Sequence, residues 1–565
     1  MQGVYTPYMT IKRKNRDGRI YLEEYRSIRH GKKVESKFVR CLGPEKPGGE
    51  KGFGPVLDRI ERGPALHTGA VRLLWKLAQD LEIQGSIDRI CNQDSMRPDP
   101  LSSALLTVWA INRVIDPRSA SQLQRWIGTT DLPELTGLPL DAFTKDAFLY
   151  SLDAICGDDS STGGQFDRSA ELNKALSDHW RKEHPLPPDM KDILAYDLTN
   201  VLFFGVTCPI AKRGRNEKHE RRPQVNVAVV VHQYDHTPLA HFVYKGNRNG
   251  CRTVRNLLAH MQEAKVQPGL LVVDRGIMGK AIVDETTGMG WDLLGGISKG
   301  NTAADAILLS TEIPETPDTY IKESKTGPVY AKKVTGKIFG QDRNLAVYTN
   351  AERAMREREE RNRELHRIGT GLTHLSTEGA KWDEATLHQA IKNIAGEWKS
   401  FVQVRVKRGE KGQRIDWKYL DRHLKTAARM DGKYLLLCTD KALTAREIVE
   451  TYFNKDFAEK VFRTLKTDVD VEPVRHRLGQ RVKAYLFVCM LAYRLIMALR
   501  WLLLESGVTE KTSEFMDRFL EELWEVERVE VKLGGQRKIW YLNVTEFIEK
   551  GLKKIDMKSL LAETG

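Results

Sequence analysis

Residues 191–297 constrain the fold more than any other part of the chain, because apolar strands and helical stretches alternate along them. "DILAYDLTNVLFFG" and "QVNVAVVVHQYDHTPLAHFVYKG" predict three strands, of which the last two are joined by a turn. "TVRNLLAHMQEA" then predicts a helix, "PGLLVVDRGIMGKAIVDE" a strand running into a helix, and "WDLLGGIS" a further strand. This order predicts an α/β fold with a mixed sheet and helices packed against it.

Segments of different character precede, interrupt and follow this core, and a chain of 565 residues has room for several domains. The predicted division is a basic β-rich arm at 1–46, a Gly/Pro-rich linker at 47–66, a helical domain at 67–185, the first part of the core at 190–300, an α+β insertion at 301–430, the second part of the core at 431–505, and a C-terminal segment at 506–565.

Charge favours a polyanionic partner, because 89 Lys and Arg oppose 76 Asp and Glu. Residues 1–46 alone carry twelve Lys and Arg against five Asp and Glu, a net charge of +7. Such concentrated charge predicts an arm that binds DNA, with Arg13, Lys14, Lys32 and Lys33 as candidate contacts. The alternative is a solvated β-hairpin.

Other features exclude several classes of protein. The seven cysteines are dispersed and form no CxxC pair, which argues against a zinc ribbon or a thioredoxin-type site and fits a reducing cytosol. The most apolar run, "LFVCMLAYRLIMALRWLLLE", contains Arg494 and Arg500, whose charges are costly in a bilayer, so we predict a buried amphipathic helix. Since the N-terminus has no apolar signal-peptide core either, we expect a cytoplasmic, nucleoid-associated protein with no membrane partner.

The stretch "YFNKDFAEKVFRTLK", residues 452–466, predicts one amphipathic helix with an unusual polar face. At about 100° per residue, Tyr452, Lys455, Glu459 and Lys466 lie within an arc of about 60°, and Arg463 lies on the same side. The apolar side chains occupy the opposite side. The face therefore presents one carboxylate among cations and a phenol; the alternative is an exposed surface stabilised by i,i+4 ion pairs.

Two further carboxylates stand out in the predicted core. Asp197 lies in the middle of an apolar strand, where an unpaired carboxylate is costly. Asp274 ends a strand of four apolar residues, a position that commonly lines the active crevice of an α/β sheet, with Gly276 predicted to open the next helix. Asp274 could instead cap that helix. A haloacid-dehalogenase-type phosphatase needs Asp-x-Asp-x-Thr, and position 195 is Ala.

Three carboxylates on two strands and a helix suit a two-metal site. Such a site holds its cations about 4 Å apart and activates water for attack on a phosphodiester. Mg²⁺ prefers oxygen ligands and keeps positions open for a substrate phosphate. The cations near Glu459, Arg463 among them, would then hold a DNA backbone.

These residues carry a resemblance to a known family. "YDLTNVLFF", "VVDRGIMGK" and "YFNKDFAEKVFRTLK" resemble the three acidic motifs of DDE transposases encoded by bacterial and archaeal insertion sequences. The helix resembles the Y-(2)-R-(3)-E-(6)-K signature of the insertion-sequence-four superfamily, with Lys455 where the signature has Arg. "DGKYLLLCTD", "INRVIDPRSASQLQRW" and "GKKVESKFVRCLG" resemble the 1634-type branch of that superfamily.

The resemblance implies an RNase H-like catalytic core in which Asp197, Asp274 and Glu459 hold Mg²⁺ or Mn²⁺. Tyr452, Lys455 and Lys466 would contact the backbone of the transposon end. The implied chemistry is hydrolysis at each 3′ end and attack of the freed 3′-OH on double-stranded target DNA, within a homodimeric synaptic complex. Two alternatives stay open: a metal-dependent nuclease on the same fold without strand transfer, and a catalytically decayed DNA-binding protein.

Overall fold

A computed structural model describes residues 9–16, 19–30, 33–44, 60–92, 100–158, 163–188, 190–214, 222–248, 250–263, 266–378, 382–409, 412–508, 512–533 and 536–562. The chain divides into two compact units. One consists of the described residues within Met1–Leu66 and Arg528–Leu542, and the other of those within His67–Glu527 and Asn543–Ala562. The domain boundaries predicted from sequence within the larger unit stay predictions.

The strands of the described residues are, in chain order, β1 (Met9–Arg16), β2 (Arg19–His30), β3 (Lys33–Pro44), β4 (Ile60–His67), β5 (Cys156–Asp158), β6 (Gln165–Asp167), β7 (Ile193–Leu202), β8 (Lys212–Arg213), β9 (Pro223–His232), β10 (Pro238–Lys245), β11 (Leu270–Val273), β12 (Asp292–Ile297), β13 (Tyr320–Ser324), β14 (Gly327–Ile338), β15 (Gln341–Asn350), β16 (Val402–Gly409), β17 (Gly412–Tyr419), β18 (Lys433–Cys438), β19 (Glu527–Leu533) and β20 (Gln536–Leu542).

The α-helices are α1 (Gly69–Asp80), α2 (Ile83–Cys91), α3 (Pro100–Ile115), α4 (Ala120–Ile127), α5 (Leu132–Thr136), α6 (Lys145–Ile155), α7 (Ser169–Glu183), α8 (Gly250–Glu263), α9 (Lys280–Gly288), α10 (Thr302–Ser310), α11 (Ala351–Glu378), α12 (Glu384–Ala395), α13 (Asp421–Met430), α14 (Ala445–Asn454), α15 (Asp456–Thr467), α16 (Gly479–Glu505), α17 (Thr512–Trp524) and α18 (Glu546–Lys554).

The smaller unit contains the predicted β-rich arm. Strands β1, β2 and β3 form an antiparallel sheet in that order, which confirms the predicted β-rich character of this arm. A second sheet has the order β20-β19-β4. The linker predicted at 47–66 falls largely outside the described residues, apart from β4.

A mixed sheet forms the centre of the larger unit, with the strand order β10-β9-β7-β11-β12-β18-β15-β14-β13 and β8 paired to β9. Strands β7, β11 and β12 are parallel, and the other pairings are antiparallel. The predicted α/β fold with a mixed sheet is thereby confirmed. Strands β13, β14 and β15, which come from the region predicted to be an insertion, continue the same sheet.

Alternation along the strands gives the sheet two apolar faces, each covered by helices. On one face, Leu257 of α8, Val283 of α9 and Leu308 of α10 belong to one apolar cluster with side chains of β7, β11 and β18. On the other face, Val272 of β11 packs with Ile448 of α14. Helix α15 also lies along β7 on this second face, as its contact between Lys466 and Thr199 shows. This second face carries the candidate site.

Helix α16 is buried on all sides over its central part, where every residue from Ala484 to Leu499 is buried. The predicted burial is therefore confirmed, but the predicted amphipathic character is wrong, because this stretch has no solvent face. By length and composition α16 could cross a membrane, yet 83% of its most apolar window lies inside the protein. Arg494 is buried with it, and burial lowers the pKa of this guanidinium to about 9.

Candidate active site

Asp197 lies in the middle of β7, a strand hydrogen-bonded on both sides by β9 and β11. Its Oδ1 accepts a hydrogen bond from the Leu198 backbone N–H (2.9 Å). Burial is the main cause that raises the pKa of Asp197 to about 6; Lys455 and the Leu198 N–H oppose the rise, and the charges of Asp274 and Glu459 contribute to it. Two other carboxylates and one ammonium therefore lie close enough to Asp197 to influence its charge.

Asp274 follows β11 directly, and the register places it beside Asp197. Val272 pairs with Ala195 in the parallel β11–β7 ladder, so continuing that register by two residues brings Asp274 level with Asp197 on the same face. Neighbouring strands lie about 4.8 Å apart. Two carboxylates from distant parts of the sequence thus lie near each other at the centre of the sheet, where the charge of Asp274 acts on Asp197.

The predicted start of a helix at Gly276 is wrong. Residues after Asp274 form a turn closed by a hydrogen bond from the Ile277 N–H to the Asp274 carbonyl (3.0 Å), and α9 begins only at Lys280 with Gly279 as its N-cap. Asp274 is therefore not the N-cap of this helix, and the alternative structural role considered for it does not hold.

The predicted single helix across 452–466 is also wrong, because the chain forms α14 and α15 with a break at Lys455. The backbone of Lys455 keeps helical angles (φ −56, ψ −24). Its N–H bonds to the Tyr452 carbonyl (3.2 Å) and its carbonyl accepts from the Ala458 N–H (2.9 Å), so both bonds span three residues rather than four. The break is thus one tightened turn between two helices.

Lys455 connects the carboxylates of two elements. Its side chain is only 7% exposed, and its Nζ donates to Asp274 Oδ1 at 3.2 Å and lies 3.9 Å from Glu459 Oε1. These two carboxylate oxygens can be no farther apart than the sum of those distances, which is within the roughly 8 Å expected of carboxylates that share a two-metal site. The structure thus brings Asp274, Glu459 and Lys455 together beside Asp197.

The other residues of the predicted polar face lie in different environments. Tyr452 is half-buried, and burial raises the pKa of its phenol to about 12, with the Asp274 charge adding to the rise. Lys466 donates to Thr199 Oγ1 (2.9 Å), two residues beyond Asp197 on the same face of β7. Arg463 is exposed. The opposite side of α15 packs on the core as predicted, through Ala458, Val461 and Leu465, and Phe462 is buried as well.

Two cations near the site were missed from the sequence. Arg275 and Arg353 both counteract the rise in the pKa of Tyr452, which places their charges close to its phenol. Arg275 could have been found because it follows Asp274 directly in the strand-to-turn stretch. Arg353 lies in α11, far away in sequence, and nothing in its local sequence relates it to the site.

The residues present fit a hard divalent cation by their chemistry. All three candidate ligands are carboxylates, the oxygen ligands that Mg²⁺ and Mn²⁺ prefer, and the Lys455 ammonium already occupies a cation position between Asp274 and Glu459. Within the described ranges, no three His, Cys, Asp or Glu side chains are arranged closely enough to hold an ion as they stand. Binding a metal would therefore require these side chains to rearrange around it.

The basic arm belongs to the other unit and is described by itself. Arg13 and Lys14 are exposed on β1. Lys32 lies outside the described residues, and so does the side chain of Lys33 at the start of β3. The assignment of these four residues to DNA binding stays a prediction, as do the roles of the residues around Glu459.

Comparison with known proteins identifies a family for the larger unit. Residues 188–495 match the family model described as "Transposase DDE domain", a span that includes all three carboxylates. No curated protein sequence matches the chain. Among solved structures, the chain is similar to a piggyBac transposase in a synaptic complex with hairpin DNA, with 11% identity over 89% of this chain and 88% of that chain and a TM-score of 0.38. A TM-score this low does not establish a shared fold.

Proposed function

We propose that this chain cuts DNA at the ends of its own insertion sequence and joins the freed 3′-OH ends to target DNA. The proposal starts from its family: the chain belongs to the transposase DDE domain family and is a transposase. The observation that carries this proposal is the convergence of Asp197, Asp274 and Glu459 from two strands and a helix. Carboxylates that converge in this way can supply the oxygen ligands of a two-metal site for phosphodiester hydrolysis.

In this proposal the three carboxylates hold Mg²⁺ or Mn²⁺. When bound, the cations supply Lewis-acid stabilisation of the charge that develops on the scissile phosphate. Asp197 anchors the site on the rigid centre of the sheet, while Asp274 and Glu459, more exposed, approach it from a turn and a helix. Arg463 and Lys466 on α15 would hold the backbone of the transposon end, together with Tyr452 near the end of α14 and Lys455 at the break between the two helices.

The topology supports a more specific proposal about the fold. Strands β10, β9 and β7 are antiparallel neighbours, and β11 and β12 follow in parallel with β7. We assign this part of the sheet to an RNase H-like core, with residues 301–430 as its insertion. The motif order and the signature stretch support membership of the insertion-sequence-four superfamily and its 1634-type branch.

The partners we propose follow from the reaction. Two transposon ends must be processed together, so we propose a homodimer that pairs them on double-stranded DNA. The exposed cations Arg13 and Lys14 in the smaller unit suit phosphate contacts outside the catalytic core. We place the protein in the cytoplasm at the nucleoid, where its DNA substrate lies.

The decisive experiment replaces Glu459 by Gln. The amide keeps the shape of the side chain but loses the charge that holds a cation, so Glu459→Gln should abolish strand cleavage in Mg²⁺ and leave end binding largely intact. Cleavage is measured on duplexes carrying the element's ends, and binding by gel shift with Mg²⁺ omitted. The matched control is Glu450→Gln on α14, which removes a carboxylate paired with Arg446 (3.2 Å).

Two outcomes would contradict the proposal. Wild-type cleavage rates in Glu459→Gln would remove this carboxylate from the catalytic set. A wild-type protein that cleaves but cannot join a duplex with a pre-cut 3′-OH end to target DNA would instead be the nuclease without strand transfer.

A further inference from the structure

Four chain segments meet beyond the C-terminal end of β7, next to the candidate active site. Phe203 forms a parallel bridge with Val474, and the Phe204 N–H donates to the Val474 carbonyl (2.8 Å). The Gly246 N–H donates to the Ile210 carbonyl (3.2 Å). The segments are 203–214, 222–226, 244–248 and 473–480, and we refer to them together as the β7-end platform.

Three glycines explain how closely these segments approach one another. A Cβ on Gly246 would lie 1.9 Å from the Gln224 carbonyl oxygen, and one on Gly214 would lie 2.2 Å from the Gly246 carbonyl oxygen. A Cβ on Gly205 would lie 2.8 Å from the Arg475 carbonyl oxygen. Because real side chains cannot occupy such positions, the three glycines hold the segments in direct backbone contact. The platform is thus a fixed surface rather than a set of independent loops.

Exposed cations are concentrated on the platform. It presents exposed cations from all four segments, namely Lys212, Arg213, Arg222, Lys245, Arg248, Arg475 and Arg477. None of the four segments contains an Asp or Glu. Glu472, the acidic residue next to the platform in sequence, accepts a hydrogen bond from the Leu202 N–H (2.8 Å). Like charges held this close repel one another, a cost that a polyanionic partner would relieve.

Its position relates the platform to the carboxylates. Asp197 and Thr199 lie on one face of β7, because alternate residues of a strand point the same way, and Phe203 directly follows this strand. Six residues at about 3.3 Å each put Phe203 about 20 Å from Asp197, which corresponds to roughly six base pairs of duplex DNA. Lys466, bonded to Thr199, lies between them. The cations of the platform therefore lie beyond Lys466, on the line that runs from Asp197 along β7.

We propose that the β7-end platform binds the phosphate backbone of double-stranded DNA about six base pairs from the cleavage position. This inference rests on the proposed function for its reference point, the site of cleavage. The contribution of the platform to DNA affinity does not depend on base sequence, because arginine and lysine contacts to phosphate position a duplex without reading its bases. Sequence recognition of the transposon end is left to other parts of the chain.

The test is a salt titration of DNA binding by the full chain. A triple variant, Lys212→Ala, Arg475→Ala and Arg477→Ala, removes three exposed cations from two segments. With a short blunt duplex as the probe, its affinity should fall roughly 10- to 100-fold near physiological salt, and the slope of log affinity against log salt should become shallower by about 2–3. A double variant, Arg475→Lys and Arg477→Lys, should retain the wild-type slope, because a point charge suffices for phosphate.

The matched control removes the same charge elsewhere in the larger unit. Lys392, Lys399 and Lys425 are exposed residues of the 351–430 region, and replacing all three by Ala should leave the slope within about 1 of wild type. Circular dichroism melting of each variant checks that it is folded. Equal losses in the control and platform variants would overturn the proposal, because overall charge would then account for binding.

The experiment separates this proposal from the proposed function. A wild-type chain that binds the duplex, with a folded platform variant whose slope is unchanged, overturns only the platform. Loss of cleavage in Glu459→Gln with duplex binding retained supports the catalytic assignment whatever the platform does. A wild-type chain that binds no duplex at all would overturn both.

Discussion

Lys455 gives the sharpest prediction about the candidate site, because one buried ammonium lies between two carboxylates that we assign to metal binding. Lys455→Met keeps the length and apolar stem of the side chain and removes the charge. The carboxylates of Asp274 and Glu459 then face each other and Asp197 without the cation that lies 3.2 Å and 3.9 Å from them. We expect the metal-free protein to lose stability and to bind Mg²⁺ more tightly.

The size of the effect follows from the exposure of the partners. Asp274 and Glu459 side chains are 52% and 62% exposed, so water screens both pairs, and each contributes about 0.5–1 kcal/mol despite the buried ammonium. Losing both should cost about 1–2 kcal/mol, which lowers the melting temperature of so large a unit by only about 1–3 °C. The same free energy no longer opposes the metal, so the dissociation constant for Mg²⁺ should fall about tenfold.

The assay is isothermal titration of Mg²⁺ into the DNA-free protein, with thermal melting at the same Mg²⁺ concentrations. The matched control is Lys460→Met, which removes an exposed charge from the same helix and should change neither quantity beyond error. An unchanged or weaker Mg²⁺ affinity in Lys455→Met would refute the reasoning, because the ammonium and the metal would then not compete for these carboxylates.

Three other predictions test the rest of the molecule. Deleting residues 1–46 should weaken binding to the element's ends and flatten its salt dependence; an unchanged slope in a folded truncation would leave the arm as a solvated sheet. His241→Gln should make the free energy of unfolding, measured in urea, less sensitive to acid. Burial lowers the pKa of His241 to about 4, so the wild-type protein loses no stability from this group above pH 6.5 and loses about 1.4 kcal/mol per pH unit between pH 6.5 and pH 4. Gly246→Ala should cost about 2–3 kcal/mol by clashing with Gln224, whereas Gly288→Ala, at the last residue of α9 with open space around its Cβ, should cost nothing.

The central sheet could be predicted because its elements have strong local signals. The apolar runs of β7, β9, β10, β11 and β12 and the helices between them were identified from periodicity alone. The continuation of the sheet through β18, β15, β14 and β13 could not, because β18 pairs with β12 and β15 across about 90 to 140 residues of sequence. Strand pairing over such distances depends on tertiary contacts that leave no local pattern.

The candidate site was predictable in its composition but less so in its geometry. Carboxylates in apolar strands are costly, so Asp197 and Asp274 were visible in the sequence. The break at Lys455 was not, because its backbone angles stay helical and the 3.6-residue pattern is barely disturbed. Its burial was also hidden, since a lysine on a polar arc is expected to be exposed, and its partner Asp274 lies 181 residues away in sequence.

The lysine at position 455, where the signature that this stretch resembles has arginine, has a geometric reason in this structure. An arginine fork matches the two oxygens of a single carboxylate or phosphate. The Lys455 Nζ instead lies between oxygens of two different carboxylates, one from a turn after a strand and one from a helix, and an ammonium with three rotatable donors suits such a shared position. Because the side chain is 7% exposed, its charge acts first on the carboxylates and reaches a DNA phosphate only if the site rearranges. Lysine in place of arginine therefore affects how the carboxylates are held in the protein without metal and DNA. The more exposed Arg463 and Lys466 on α15 are then the side chains available to contact phosphate.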